Sequence, residues 1–317
     1  MNQLKFEDLL DAGVHFGHLK RKWNPAMAPY IFMERNGIHI IDLYKTVAKA
    51  DEAALALKQI AKSGKKILFV ATKKQAKEIV GELVRSVSMP YVTERWPGGM
   101  LTNFATIRKA VRKMASIDKM QNDDTFTKIS KRERLQILRE RAKLEKNLGS
   151  ISDLTRLPSA IFIVDILKEK IAVNEAKKLN IPTFAIVDTN SNPNEVDYAI
   201  PANDDASKSI AIILGHMVKA IEEGLAERKI AKDIQDREDE EENEDIMIEK
   251  ASLKSIEEQE EEEEAKSLKK AAAKKELAAK IKDAEPIGEI DDTEDKKARK
   301  PIAVKKPVAG KKTITKK

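Results

Sequence analysis

The side chains of this sequence that are best able to do chemistry are four aspartates, Asp165, Asp188, Asp204 and Asp205. The first two directly follow apolar runs that are typical of strands, at the edge where open parallel sheets usually bind ligands. Carboxylates gathered there could hold a divalent metal ion. Residues 203–205 also suit the first turn of a helix, where carboxylates interact favourably with the helix dipole. A metal at Asp188, Asp204 and Asp205 is therefore an alternative to helix capping, and the interpretation adopted has no metal and no cofactor.

The sequence lacks cysteine and a phosphate-binding glycine loop, on which several enzyme classes depend, and this counts against an enzyme. The chain has no cysteine, so neither a thiolate nucleophile nor a cysteine-ligated zinc can form. Lys73 and Lys74 stand where a helix is expected to begin and could bind phosphate, but the glycine-rich loop of nucleotide-binding enzymes is absent. We expect a binding protein, and a metal-dependent α/β enzyme using the acidic residues is the alternative.

Charge is unevenly distributed along the 317 residues. Residues 1–230 contain 38 basic and 28 acidic residues, residues 231–265 contain 4 and 17, and residues 266–317 contain 17 and 8. A basic segment of this kind favours a polyanionic partner such as nucleic acid. No apolar run approaches the roughly 18 residues of a membrane-spanning helix, and the first residues lack the plan of a secretory signal. We expect a cytoplasmic protein that contacts neither a membrane nor a small-molecule substrate.

Apolar runs that alternate with amphipathic segments predict an α/β fold with a parallel sheet. Runs at 67–71, 160–164 and 183–187 are typical of strands buried on both faces. A short third run at 91–93 is a further strand candidate, and Asn36 with Gly37 predicts a two-residue hairpin. Helices are expected over 6–13, 42–63, 73–87, 171–179 and 206–224.

Residues 95–103 connect this sheet to a basic helical segment. Pro97, Gly98 and Gly99 interrupt both helix and strand, and so predict a sharp turn. Two segments at 106–120 and after Ser130 repeat apolar residues at helical spacing, which predicts an antiparallel helical hairpin inserted between two strands. Residues 104–149 carry 13 basic and 6 acidic residues. We expect Trp96 to pack as an anchor of the turn and Arg95 to face RNA.

Basic and aromatic residues also alternate in the loop predicted over 14–29. Arg21 and Lys22 lie between Phe16 and Trp23, an arrangement that suits a loop lying on RNA. A loop packed by its own aromatic side chains explains the pattern equally well.

Apolar residues become scarce after Lys229, and residues 260–264 are consecutive glutamates. Such a sequence cannot bury enough surface to offset the entropy of ordering it. We therefore expect residues 231–317 to form a disordered tail, acidic and then basic, which either adds weak affinity for RNA or serves solubility alone.

A series of motifs runs in order along residues 6–228. They are Ala12-Gly-Val-His-Phe-Gly-His18, Trp23-Asn-Pro25, Tyr30-Ile-Phe32, Asn36-Gly-Ile-His-Ile-Ile-Asp42, Thr72-Lys-Lys-Gln-Ala76, Arg95-Trp96, Gly98-Gly-Met-Leu-Thr-Asn103, Val164-Asp165, Ile181-Pro182, Asp188-Thr-Asn190 and Ile200-Pro201 up to Asp205. Together they resemble the bacterial ribosomal protein S2 family of the small subunit. Pro97 departs from the family's more usual leucine, residues 191–193 replace a more acidic loop, and the tail exceeds the family core.

The resemblance implies a Rossmann-like or flavodoxin-like parallel sheet flanked by helices, with an inserted α-helical coiled-coil hairpin. On this chain the α/β globular domain would comprise 1–103 and 153–230, the hairpin 104–152 and the tail 231–317. The resemblance also implies a structural constituent of the small ribosomal subunit that binds small-subunit ribosomal RNA. A further implied contact is protein S1, the largest small-subunit protein, which helps recruit messenger RNA.

The candidate RNA-binding residues share positive charge and positions in the loop, near a helix start or along the hairpin. They are Arg21, Lys22, Lys73, Lys74, Arg95, Arg108, Lys109, Arg112, Lys131, Arg132 and Arg134. Phe16, Trp23 and Phe32 are the candidates for contact with a protein partner. A free RNA chaperone with the same charge pattern is a further alternative to a ribosomal subunit protein.

Overall fold

The computed structural model describes residues 4–123, 126, 130–237, 247, 250, 266, 269 and 270. The chain divides into two compact units, Met1–Glu241 and Glu242–Lys317. Five residues of the second unit are described, and all five are helical. Residues 231–237, which were assigned to the predicted tail, continue a helix, and the tail's disorder otherwise stays a prediction on residues mostly outside the described part.

A small antiparallel sheet lies near the amino-terminal end of the first unit. Its strands are β1 (Phe16–Leu19), β2 (Ile31–Arg35) and β3 (Ile38–Ile41), with β3 in the middle. Asn36 and Gly37 have φ angles of 53° and 73°, which is the left-handed conformation that a two-residue hairpin needs. β1 lies inside the predicted loop at 14–29, so that prediction is wrong for these four residues. The strand is short, and its register with β3 is irregular, so it has no clear alternating pattern.

A second sheet forms the centre of the unit. Its strands are β4 (Ile67–Val70), β5 (Tyr91–Val92), β6 (Ala160–Val164), β7 (Thr183–Val187) and β8 (Tyr198–Pro201). They lie in the order β5-β4-β6-β7-β8, and every neighbouring pair is parallel. The predicted α/β class with a parallel sheet is confirmed. β8 was not predicted, and its proline is tolerated because it ends an edge strand.

Helices cover both faces of this sheet. They are α1 (Phe6–Asp11), α2 (Leu43–Lys62), α3 (Lys74–Ser86), α4 (Phe104–Asn122), α5 (Lys131–Leu148), α6 (Lys170–Lys178) and α7, described over 207–237. In β4, Ile67 and Phe69 pack into the core that α2, α3 and α7 share. Leu68 and Val70 point to the opposite core, which α6 covers. This two-sided burial explains why the central strands are continuously apolar. In the described residues, no helix is both long and apolar enough to cross a membrane.

Gly224 does not end α7, contrary to the prediction from sequence. The helix continues past it to residue 237. A Cβ atom at Gly224 would lie 2.5 Å from the carbonyl oxygen of Lys58, so the glycine allows α7 to approach α2 closely. The same residue type thus serves packing here, whereas Gly64 at the end of α2 has the left-handed φ of 73° that a cap uses.

The helices α4 and α5 are an insertion in the parallel sheet. β4 pairs with β6, although β5 and residues 93–159 separate them along the chain. Arg141 of α5 forms an ion pair with Asp118 of α4 at 2.5 Å, and Lys113 pairs with Glu140. Ser130 caps α5 by accepting a hydrogen bond from the backbone nitrogen of Glu133 at 3.3 Å. Two contacting helices at the predicted place are therefore observed, and coiled-coil packing between them stays a prediction.

Candidate functional site

Four loops at the carboxyl edge of the parallel sheet bring polar side chains together. Lys73 follows β4, Asp165 follows β6, Asp188 follows β7, and Asp204 with Asp205 follows β8. Because parallel strands end at a common edge, these residues meet although they are distant in sequence. We name the group, together with His18 from β1, the acidic pocket.

Lys73 lies at the centre of the acidic pocket. Its Nζ atom is 2.8 Å from Asp204, 2.6 Å from Asp205 and 3.5 Å from Asp165. Burial alone would lower the pKa of Lys73, but these carboxylates outweigh it and raise the pKa. The lysine is therefore charged and held inside the protein, which leaves it poorly placed for the RNA contact predicted from sequence.

His18 joins the acidic pocket from the small sheet. Its Nδ1 atom is 2.9 Å from Asp188 Oδ2, and its Nε2 atom is 3.4 Å from Asp205 Oδ2. The backbone nitrogen of His18 donates to Thr189 Oγ1 at 2.8 Å, which fixes the strand against the loop after β7. The hydrogen bond with Asp188 is the main reason that the pKa of His18 is raised.

Asp204 is fully buried and carries the strongest perturbation in the pocket. Burial, together with the charges of Asp188 and Asp165, raises the pKa of its carboxyl to about 7 against the opposing effect of Lys73. Its Oδ2 atom has no hydrogen-bond partner among the described residues. A buried carboxylate oxygen without a partner is costly, so this atom is available to a cation.

The geometry of three of these side chains suits a divalent cation. Ligand atoms of His18, Asp188 and Asp204 all lie within 4.8 Å of one another. An imidazole with two carboxylates is a donor set that zinc accepts in proteins. The sequence predicted the two aspartates as metal candidates but not His18, because no local spacing links a residue near position 18 to strands after residue 160.

The predicted RNA-binding residues divide into exposed and engaged cations. Lys109 and Arg112 of α4 and Lys131 and Arg132 of α5 are exposed, and the part of the chain that the structure describes offers them no ion-pair partner. Arg21, Lys22, Lys74 and Arg95 are likewise exposed. Exposed cations of one sign along two helices can neutralise phosphates of a nucleic acid.

Besides Lys73, two of the predicted cations are engaged within the protein. Arg108 is half-buried and donates through Nη1 to the carbonyl oxygen of Leu154 at 2.8 Å, which connects α4 to the segment that returns to the sheet. The guanidinium carbon of Arg134 lies 5.6 Å from the centre of the Phe126 ring. The first contact indicates a structural contribution that helical periodicity alone could not reveal.

The three predicted protein-contact residues are exposed on and beside the small sheet. Phe32 is 71 % exposed, Phe16 is 49 % exposed and Trp23 is 36 % exposed. Phe16 of β1 and Met33 of β2 both pair with Ile40 of β3, the strand that lies between them. We name Phe16, Trp23, Phe32 and Met33 the apolar patch. Exposed aromatic side chains at these positions are available for contact with a partner.

Glu175 of α6 fixes the turn at 95–103, and sequence reasoning missed it. Its carboxylate accepts hydrogen bonds from the backbone nitrogens of Gly99 at 2.8 Å, Leu101 at 2.9 Å and Thr102 at 3.2 Å. The Nε1 atom of buried Trp96 donates to it at 3.2 Å. Burial would raise the pKa of Glu175, but these donors outweigh burial and lower the pKa. Trp96 is a packed anchor, as predicted. Arg95 is exposed, and its contact with RNA stays a prediction.

Fold and site together define a class of protein: an α/β binding protein with a cationic helical insertion, an acidic pocket and an exposed apolar patch. The comparisons with known proteins identify its family. The family model described as Ribosomal protein S2 matches residues 9–224, and the chain belongs to that family.

Curated relatives agree with this assignment. A protein named Small ribosomal subunit protein uS2 from Phocaeicola vulgatus is 73 % identical over 232 residues, which cover 73 % of this chain and 83 % of the relative. Proteins of the same name from Parabacteroides distasonis and Porphyromonas gingivalis are 71 % and 70 % identical over 232 residues, covering 84 % and 83 % of those relatives. The resemblance expected from the sequence motifs is thereby confirmed.

Proposed function

We propose that this chain is a structural constituent of the small ribosomal subunit. The observation that carries the proposal is identity of about 70 % to small ribosomal subunit proteins over 232 residues. Family membership speaks against the metal-dependent enzyme considered from sequence, since the family is defined as a ribosomal protein. Association with ribosomal RNA and with other ribosomal proteins follows from that role, as does a place in the cytoplasm with the ribosome.

The contact with ribosomal RNA is made, in this proposal, by the exposed cations of α4 and α5 and of the turn at Lys20–Lys22. Lysine and arginine side chains at these places displace counterions from phosphates, which gives affinity that depends on salt. Contacts to phosphate position a protein without reading sequence. The protein therefore recognises the shape of a folded RNA surface, and Arg95 extends that contact to the base of the two helices.

The apolar patch anchors a protein partner. Its exposed aromatic rings offer a surface for stacking and burial, which phosphate contacts do not use. Ribosomal protein S1 is the partner that we propose, in line with the family resemblance. Replacing Phe16 and Phe32 together by alanine should remove S1 from small subunits while the chain itself stays bound, as judged by the protein content of sedimented subunits. Retention of S1 at the normal level would contradict this part of the proposal.

In this proposal the acidic pocket holds a divalent cation. A buried Asp204 oxygen that has no hydrogen-bond partner among the described residues lies close to ligand atoms of His18 and Asp188. Zinc can be titrated into the full chain by calorimetry after treatment with a chelator. Asp204→Asn should abolish the binding heat, whereas the exposed control Asp153→Asn should leave it unchanged. Equal binding heats for the two variants would show that the acidic pocket is not the zinc site and would contradict this part of the proposal.

Sedimentation tests the proposed role as a subunit protein. The full chain should remain with intact small subunits through washing at high salt, in an amount close to one copy per subunit. A free RNA chaperone would dissociate, because its affinity rests on exposed charges that salt screens. Complete loss to the supernatant at salt concentrations that retain other subunit proteins would favour the chaperone.

A further inference from the structure

A cavity of about 520 Å³ lies where the turn at 95–98 meets the base of α4 and α5. Its apolar lining includes Pro97, Ile107 and Leu144. Gly98 leaves one side open, since a Cβ atom built there would meet nothing within 4 Å. We name this cavity the hinge pocket.

Cations and an amide surround the apolar lining of the hinge pocket. Arg95 and Lys143 line it and are exposed, Asn147 adds an amide with both a donor and an acceptor, and Glu140 adds one carboxylate. Carboxylates near these two cations pair elsewhere within the described residues: Glu140 with Lys113, and Glu145 with Arg141. The positive charge at the rim is therefore free to meet an anion.

The hinge pocket is preorganised by the contacts of Glu175. That carboxylate holds the backbone of Gly99, Leu101 and Thr102, and through Trp96 it holds the residue next to Arg95. The α4 wall is fixed at the opposite side by the hydrogen bond from Arg108 to Leu154. Because the walls of the pocket are already ordered, binding a ligand there costs little additional conformational entropy.

We propose that the hinge pocket receives one unpaired nucleobase of ribosomal RNA, with an adjoining phosphate against Arg95 and Lys143. The apolar walls take the faces of the base, the Asn147 amide meets its edge, and the cations neutralise the backbone. Charge complementarity selects a nucleotide over an apolar side chain of a protein, which would leave both cations without a partner. The proposal rests on the proposed function and specifies the chemistry of its RNA contact.

Filling the hinge pocket tests this inference. Ala110 lines it from α4, so Ala110→Phe should occupy the space of the base, whereas Ala115→Phe on the exposed side of the same helix is the matched control. Full-length chains are bound to small subunits depleted of this protein, and the bases are probed with dimethyl sulfate. We expect Ala110→Phe to bind about tenfold more weakly and to leave one or two additional bases reactive, with the control unchanged.

A second variant keeps the test valid if Ala110→Phe lowers the melting temperature. Arg95→Gln with Lys143→Gln changes exposed residues only, and should flatten the dependence of log affinity on log salt by about 1.5 to 2. Lys178→Gln with Lys177→Gln removes the same charge from α6 as a control.

Two results would overturn the inference and leave the proposed function standing. One is an unchanged base-reactivity pattern for a folded Ala110→Phe. The other is loss of a neighbouring protein, in place of newly reactive bases, when the pocket is filled. Failure of the wild-type chain itself to bind the depleted subunits would instead contradict the proposed function.

Discussion

At the scale of single residues, Asp204 shows how the fold creates chemistry that composition cannot reveal. An aspartate before a helix is ordinary, and Asn203 does cap that turn by accepting from the backbone nitrogens of Asp205 and Ala206. Asp204, however, points into the protein beside three other carboxylates and Lys73. Its burial depends on strands that are distant in sequence, so local reasoning could name the residue and not its environment.

Asp204 should make the metal-free protein less stable as pH rises. Its pKa is raised from 3.8 to about 7 by burial, so the unfolded chain loses this proton before the folded chain does. That difference costs stability progressively between about pH 4 and pH 7. Asp204→Asn should therefore gain melting temperature relative to the wild type across this range, measured with a chelator present. A constant difference between the two proteins from pH 4 to pH 8 would contradict this assignment.

The contribution of Glu175 to stability should increase as pH rises, which is opposite to the effect of Asp204. Glu175→Ala leaves the donors of Gly99, Leu101 and Thr102 without their acceptor, and should lower the free energy of unfolding by about 2 to 4 kcal/mol at pH 7. Because the pKa of Glu175 is lowered in the folded protein, the wild-type advantage is present above about pH 4.5 and is lost as pH falls through the folded value. Urea denaturation at several pH values measures it.

The control for Glu175→Ala is Glu82→Ala, which removes an exposed carboxylate from α3. That change should alter the free energy of unfolding by less than about 0.5 kcal/mol. Equal and small effects of the two substitutions would show that the carboxylate of Glu175 does not hold the turn.

At the scale of elements, two adjacent residues of the turn at 95–103 have different tasks: one packs in the core and the other is placed to contact RNA. Trp96 is buried and hydrogen-bonded to Glu175, whereas Arg95 is exposed at the hinge pocket. Trp96→Ala should lower the free energy of unfolding by about 3 to 5 kcal/mol, because it leaves a cavity. Arg95→Ala should leave stability unchanged and weaken RNA binding. Thermal unfolding and binding to depleted subunits distinguish the two, and equal destabilisation by both would contradict the division.

Elements with strong local signals could be predicted, and elements that depend on distant partners could not. Asp42 caps α2 and Ser130 caps α5 as their sequences indicate. β1 and β8 were missed because each is short and gains its stability from one neighbouring strand. Glu175 was missed for the same reason, since its donors lie more than 70 residues earlier in the chain.

At the scale of the whole molecule, the first unit separates its surfaces by chemistry. Exposed cations lie on the inserted helices, aromatic rings lie on the small sheet, and carboxylates lie within the edge of the parallel sheet. The sequence predicted the family, the α/β class and the exposed positions of most of the candidate RNA-binding cations, because these depend on residue types and local order. The partition of cations into exposed and engaged members required the structure, since Lys73 and Arg108 have the same sequence signals as Lys74 and Lys109.

The central claim is that exposed cations of α4 and α5 fix this protein on the ribosomal RNA of the small subunit. The most direct test reverses the charge of Lys109, Arg112, Lys131 and Arg132 to glutamate. The control reverses four exposed lysines elsewhere in the first unit, Lys177, Lys178, Lys208 and Lys219. Both variants are expressed beside the wild type, and their melting temperatures are compared first to confirm that they fold.

The measurement is the fraction of each chain that sediments with small subunits after washing at high salt. We predict that the helix variant falls to a small part of the wild-type fraction and that the control stays close to it, because only the first loses phosphate contacts. Incorporation of a folded helix variant at the wild-type level would contradict the claim.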